Sequence, residues 1–157
     1  MGPETPVRIA GRADTGTVTR LIGEFRDFLD GEEPTNAVIE AAVTELIEDP
    51  GTEYILIGDP EVGFAQVRYR LSVWSGREDA WLEDLFIAEE ARGKGLGKAL
   101  VEAAIQRAKS RGCERMQLET NSENTGAIAL YEESGFRSSH LPERWGENPD
   151  TLFTRKL

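Results

Sequence analysis

Three glycines at 93, 95 and 97 stand in the run Arg92-Gly93-Lys94-Gly95-Leu96-Gly97-Lys98, and that spacing suits the binding of an anion. The run follows a strand-like stretch and opens a helical one. Free N–H groups at a helix start, together with the positive end of its dipole, attract phosphate, and glycine lets phosphate oxygens reach the backbone. Arg92 and Lys98 add cationic side chains on either side. A dinucleotide fingerprint would need its last glycine at position 98 or 100, where Lys98 and Leu100 stand. A P-loop fails as well, because Gly93 and Gly97 enclose three residues rather than four and Ala99 occupies the hydroxyl position. What remains is Arg-x-x-Gly-x-Gly, from Arg92 to Gly97.

Upstream of the glycines, Glu83 lies in an apolar strand-like stretch. Strict alternation places it on one face with Trp81, Leu85 and Ile87, and a carboxylate among apolar side chains makes a better base near neutral pH than a solvated one. Asp84 then points the other way, unless a strand bulge exchanges the two. Tyr131 follows Ala127 by four residues, which by spacing alone reads as an aromatic on a buried helix stripe. His140 is the only histidine, so a Ser-His-Asp triad or a histidine metal site would have to use it, and it stands among loop residues. Cys113 reads as a small apolar residue entering a strand.

The elements that must position these groups can be followed along the chain. Val7–Ala10 reads as a strand. Asp14 or Thr15 can cap a helix with the stripe Val18, Leu21, Ile22, Phe25, Phe28 and Leu29, broken by Asp30-Gly31-Glu32-Glu33-Pro34. Thr35 or Asn36 can cap a second helix, which ends before Asp49-Pro50-Gly51. Strands are expected over Glu53–Ile57, Val62–Arg70 and Ala80–Ala88, then a helix from about Leu96 to Arg111 with Gly112 in the left-handed position after it. A strand over Arg115–Thr120, a short helix over Thr125–Ser134 and strands over Phe136–Ser139 and Thr151–Lys156 complete the pattern. Three consecutive strands favour antiparallel pairing, and the strand–helix–strand unit from Ala80 to Thr120 favours a parallel crossover. The expected fold is therefore α/β (α+β): a mixed, mostly antiparallel central sheet of six to seven strands, flanked by about four helices.

A length of 157 residues fits one domain, 1–157. One cysteine excludes an intramolecular disulfide, no apolar run is long enough to span a membrane, and the N-terminus lacks the basic and apolar regions of a signal peptide. A cytoplasmic protein without membrane contact is the expectation. The net charge of −11 argues against nucleic acid as a partner and suits a cationic substrate.

Three blocks resemble a known superfamily, the GNAT acyltransferases, over roughly Trp81 to Phe136. They are Leu82-Glu83-Asp84-Leu85-Phe86-Ile87, the loop from Arg92 to Lys98, and Asn124-Thr125-Gly126-Ala127-Ile128-Ala129-Leu130-Tyr131-Glu132-Glu133-Ser134-Gly135-Phe136, which is similar to the signature N-x-x-A-x-x-L-Y-x-x-x-G-F. The strand block is most similar to that of the diamine (spermidine/spermine) N-acetyltransferases. The resemblance implies a GNAT fold, a cofactor-binding core over about 80–136, and acetyl-CoA as cofactor. It implies that backbone groups of Leu85 and Ile87 pair with the pantetheine arm, and a backbone N–H near Phe86 or Ile87 is a candidate for the developing oxyanion. The loop of Arg92, Gly93, Lys94, Gly95, Leu96, Gly97 and Lys98 would take the pyrophosphate, bordered by Asn124, Gly126 and Ala127.

Acetyl transfer from a thioester to an amine needs a base on the amine side and a proton donor on the sulfur side. The resemblance assigns the first role to Glu83, directly or through a water, and the second to Tyr131. It places Asp30, Glu32 and Glu33 at an acceptor pocket. By position alone, Glu119, at the end of the strand facing the helix that bears Tyr131, is a further candidate substrate contact, and Trp145, in the loop 141–150, could close over the acceptor. The implied partner is a small-molecule amine: a polyamine, an aminoglycoside or an amino-acid-like acceptor. A protein N-terminal or lysine acetyltransferase and a catalytically silent acyl-CoA-binding domain stay open beside it. Relatives in the superfamily are often homodimers, which leaves a homodimer open as well.

Overall fold

The computed structural model describes residues 5–139 and 150–157; His140, Trp145 and the loop that carries them lie outside the described residues. Among the described residues seven strands form one sheet in the order β1-β2-β3-β4-β5-β7-β6, where β1 is Val7–Ile9, β2 Thr52–Gly58, β3 Glu61–Leu71, β4 Glu78–Ile87, β5 Arg115–Asn121, β6 Arg137–Ser139 and β7 Asp150–Lys156. Every neighbouring pair is antiparallel except β4 and β5, which run parallel. That one parallel pair is the crossover expected between Ala80 and Thr120.

Four α-helices among the described residues cover the sheet: α1 (Thr15–Phe28), α2 (Asn36–Leu46), α3 (Leu96–Ser110) and α4 (Thr125–Glu133). Thr35 caps α2 by accepting a hydrogen bond from the Val38 N–H, and Asn124 caps α4 by accepting from the Ala127 N–H at 3.3 Å. The residue before α1, Asp14, spends its carboxylate elsewhere: it accepts from the Gly11 N–H and from both terminal nitrogens of Arg8. Among the described residues, no helix is long and apolar enough to cross a membrane.

The sheet separates two apolar layers. On one side Val18, Leu21, Ile39 and Val43 from α1 and α2 meet Tyr54, Leu56, Phe64 and Phe86. On the other, Leu100, Val101, Ala104 and Ile105 from α3 meet Ile55, Val67, Leu82, Met116 and Phe153, with Tyr131 of α4 in the same cluster. The stripe expected on the first helix stops short of its end. Phe28 and Leu29 are 48% and 62% exposed; Phe28 reaches Phe86 of β4, with ring centroids 6.2 Å apart.

Candidate active site

β4 and β5 are paired at only two positions, Ala80 with Met116 and Trp81 with Gln117. Beyond Trp81 the strands part, and a cleft of about 1320 Å³ opens between them. Its walls come from the end of α1 (Phe25, Phe28), from β4 (Trp81 to Ile87), from the glycine loop and from α4 (Ala127, Leu130, Tyr131). Splaying leaves backbone N–H and C=O groups on the inner edges of two strands without a neighbouring strand, which suits an extended ligand that can pair like a strand.

The same stretch of β4 carries a bulge. Gln66 of β3 pairs with Asp84 and Val67 pairs with Leu82, so Glu83 has no partner of its own. One extra residue shifts the alternation by one. Ala80 and Leu82 lie on the α3 side before it, Leu85 and Ile87 on that side after it, and Phe86 faces α1 and α2. The expectation that Glu83 shares a face with Trp81, Leu85 and Ile87 is therefore corrected: Glu83 is exposed at the bulge and lines the cleft, while Asp84 is the half-buried carboxylate next to it. Burial first, and the Glu83 charge second, push the Asp84 carboxyl above its ordinary range.

Tyr131 is buried, set edge-on to Phe136 with ring centroids 6.0 Å apart and tilted against Phe153 at 6.5 Å. Its phenol is pushed up to about 12, by burial and then by the charge of Asp84. Tyr54 of β2 is pushed up to about 12 in the same way. Asp84 thus influences phenols reaching it from opposite sides of the sheet. Because the folded protein favours the neutral acid, ionising Asp84 costs stability. The cost is absent below the unfolded pKa of about 3.9 and complete once the pH exceeds the raised value. Asp84→Asn, which stays neutral, is expected to raise the thermal midpoint by a few degrees near pH 8 and to leave it unchanged below about pH 3.5, read by scanning calorimetry.

In the glycine loop, Gly93 and Gly95 have φ of 78° and 79°, a left-handed conformation that glycine adopts without strain. A Cβ at either position would meet nothing within 4 Å, so the space above them is open to a ligand. Gly95 is the residue before α3, whose first N–H groups have no intrahelical acceptor and face an incoming anion with the helix dipole behind them. Gly97 serves packing instead: a Cβ there would stand 3.2 Å from Leu130 Cδ2, so its absence lets α4 approach the start of α3. A site with these free donors and this volume fits acetyl-CoA.

Arg92 does not extend toward the anion site as the sequence suggests. Its Nε donates to the Ile87 carbonyl at 2.9 Å, and its guanidinium lies 4.1 Å from the centre of the Phe28 ring and 5.8 Å from that of Phe86. The side chain ties the loop to the ends of α1 and β4, and it occupies one of the backbone carbonyls expected to meet the pantetheine arm. Lys98 lines the cleft beside the first N–H groups of α3; Lys94 is exposed and lies outside the cleft lining.

Of the remaining expected residues, Leu85, Phe86, Ile87, Leu96, Glu119, Asn124, Gly126 and Ala127 all line the cleft. Asp30, Glu32 and Glu33 are exposed and do not. The turn that holds them closes on Arg26, which donates to the Pro34 carbonyl and to Asn36 Oδ1, and no acidic side chain of the turn reaches the cleft. Sequence reasoning missed Phe28, Leu29 and Arg70 as cleft residues. An apolar pair at the end of a helix stripe, just before a helix break, was the available signal for the first two.

The sequence profile of the acetyltransferase (GNAT) family matches residues 20–136. Among curated proteins, the thialysine N-epsilon-acetyltransferase of Mus musculus is 27% identical over 155 residues, covering 90% of this chain and 89% of that protein. Among solved structures, a protein of Arthrobacter sp. FB24 taken to be an acetyltransferase superposes with a TM-score of 0.81 at 26% identity, covering 95% of this chain and 94% of that one. A Salmonella typhimurium protein, taken to be an acetyltransferase and solved with its cofactor acetyl-CoA, shares the fold with a TM-score of 0.76 at 20% identity, covering 98% of this chain and 94% of that one.

Proposed function

Because the chain belongs to the acetyltransferase (GNAT) family and is an acetyl-CoA-dependent N-acetyltransferase, we propose that it acetylates a primary amine of a small molecule by direct transfer, with Glu83 as base and Tyr131 as acid. The observation that carries this reading is the cleft itself, which joins a phosphate-binding helix start to a pair of adjacent carboxylates and a buried phenol. Acetyl-CoA, when bound, supplies the acetyl group as a thioester. The first N–H groups of α3 and the open backbone at Gly93 and Gly95 hold its pyrophosphate, with Lys98 beside them. The free edge of β4 at Leu85 pairs with the pantetheine arm.

Glu83 faces solvent in the cleft, so it can take a proton from the arriving ammonium through a water and pass it to bulk. A primary alkylamine has a pKa near 10.4, and unassisted it is almost wholly protonated at neutral pH. The acidic lining of Glu83, Asp84 and Glu119 also concentrates a cationic acceptor before reaction. Tyr131 remains a neutral phenol and donates toward the departing sulfur. A second reading exchanges the carboxylates, because Asp84 is the one whose burial and raised carboxyl suit a base near neutrality.

The curated relatives act on thialysine by name, which supports a small-molecule amine over a peptide chain as acceptor. Thiol release with acetyl-CoA across a panel of polyamines, aminoglycosides, amino acids and peptides tests the proposal. Turnover with at least one small amine and not with peptides is expected, together with a raised thermal midpoint on adding acetyl-CoA. Turnover with peptides alone sinks the small-molecule acceptor. A midpoint shift without turnover of any amine would leave a silent acyl-CoA binder.

A further inference from the structure

Arg70 lines the cleft, and no carboxylate among the described residues pairs with it. It lies near the end of β3, directly opposite Asp79 of β4, but Asp79 is taken by Arg115 at 2.7 Å. Arg68, two residues earlier on the same strand face, lies 3.8 Å from Asp49. Among the described residues Arg70 has one partner, the indole of Trp81, whose centre lies 4.4 Å from its guanidinium carbon. In an acidic protein where Arg68 of the same strand face is paired, an arginine stacked on an aromatic at a cleft wall, with no acidic partner among the described residues, calls for an explanation.

Stacking engages the flat face of a guanidinium and leaves its N–H fork free at the edge, preset to donate two parallel hydrogen bonds to a carboxylate. Trp81 stands where β4 and β5 begin to part, at the closed end of the cleft. Glu83 follows two residues on, about 7 Å along an extended strand. The cleft therefore has a cation at one point and, one short alkyl chain away, the carboxylates of Glu83 and Asp84. The other cleft cations are placed elsewhere: Arg92 is bound to the Ile87 carbonyl and to Phe28, and Lys98 sits in the first turn of α3.

The relatives are named for thialysine, an amino acid whose side chain ends in an amine; for an acceptor of that kind we infer that Arg70, held on Trp81, binds the carboxylate and thereby selects amino acids over polyamines. The inference rests on the small-amine reading above and narrows it. A polyamine would bring a second ammonium to the place where Arg70 already stands, and like charge rejects it. An amino acid offers each end of the cleft the opposite charge.

The test compares L-lysine with the diamine left when its carboxylate is removed, measured by thiol release from acetyl-CoA. The expected kcat/KM for lysine exceeds that for the diamine by about tenfold or more, as a charge-assisted bidentate contact requires. In Arg70→Ala the ratio falls toward one, through a higher KM for lysine, and Arg70→Lys keeps part of it because the charge remains while the fork is lost. A diamine used as well as lysine by the unaltered protein, or a ratio that Arg70→Ala leaves intact, overturns the inference and leaves the small-amine reading standing. No turnover of any amine in the wider panel, with acetyl-CoA still raising the thermal midpoint, overturns both.

Discussion

Tyr131→Phe is expected to lower kcat by about a hundredfold or more, the range of a lost general acid, while the affinity for acetyl-CoA changes by less than about twofold. The ring sits in a cavity formed with Phe136 and Phe153, so phenylalanine keeps the packing and removes one oxygen. That hydroxyl makes no hydrogen bond to any of the described residues; its loss strands no partner, and stability should change little. The pKa identifies the kind of acid Tyr131 is. A phenol held at about 12 gives its proton to a thiolate of pKa about 8.5 only uphill, so its contribution is a hydrogen bond that strengthens as charge gathers on sulfur, completed by proton transfer late. Burial raises this pKa, so the donating form is present at every pH below about 12 and is lost only above it. A kcat profile measured from about pH 7 to about pH 10 should therefore show no alkaline fall due to this residue. A fall in that window that disappears in Tyr131→Phe would contradict the assignment; stopped-flow thiol release and direct binding of acetyl-CoA read the two effects separately.

Much of this site was legible in the chain because it is built from local signals. The glycine run announces the start of α3, since positive φ at Gly93 and Gly95 is a property of those residues themselves. The cap Thr35 and the helix-ending Gly112 are local too. What failed depended on pairing. The bulge at Glu83 is fixed by the register of β3 against β4, and alternation read along one strand cannot reveal where its neighbour skips. Arg92 turns aside because Phe28 and Phe86 offer it two ring faces and Ile87 a carbonyl, all brought near by the ends of α1 and β4. Arg70 and Trp81 are diagonal neighbours across two strands. Asp30, Glu32 and Glu33 share their negative charge with the cleft but not their position, which the helix break alone did not determine. Residues whose roles follow from their own conformation could be assigned early; those whose roles follow from a neighbouring strand required the sheet.

Glu83→Gln is the substitution that decides between the two carboxylates, and it is expected to lower kcat by about a hundredfold near pH 7. Glutamine keeps the length and polarity of the side chain at an exposed bulge position, so the fold and acetyl-CoA binding should survive; the negative charge and the capacity to take a proton are lost. Without a base the enzyme must wait for acceptors that arrive neutral. Below the amine pKa of about 10.4 the neutral fraction grows roughly tenfold per pH unit. The variant's kcat/KM should climb with that slope up to about pH 10, and its deficit relative to the unaltered enzyme should shrink along the way. Asp84→Asn provides the contrast. If Glu83 is the base, that change affects stability more than the slope, because Asp84 acts on the site through its charge near Tyr131. Should Glu83→Gln keep the original pH profile while Asp84→Asn acquires the steep one, the base is the buried carboxylate. The bulge would then matter because it turns Asp84, not Glu83, toward the amine.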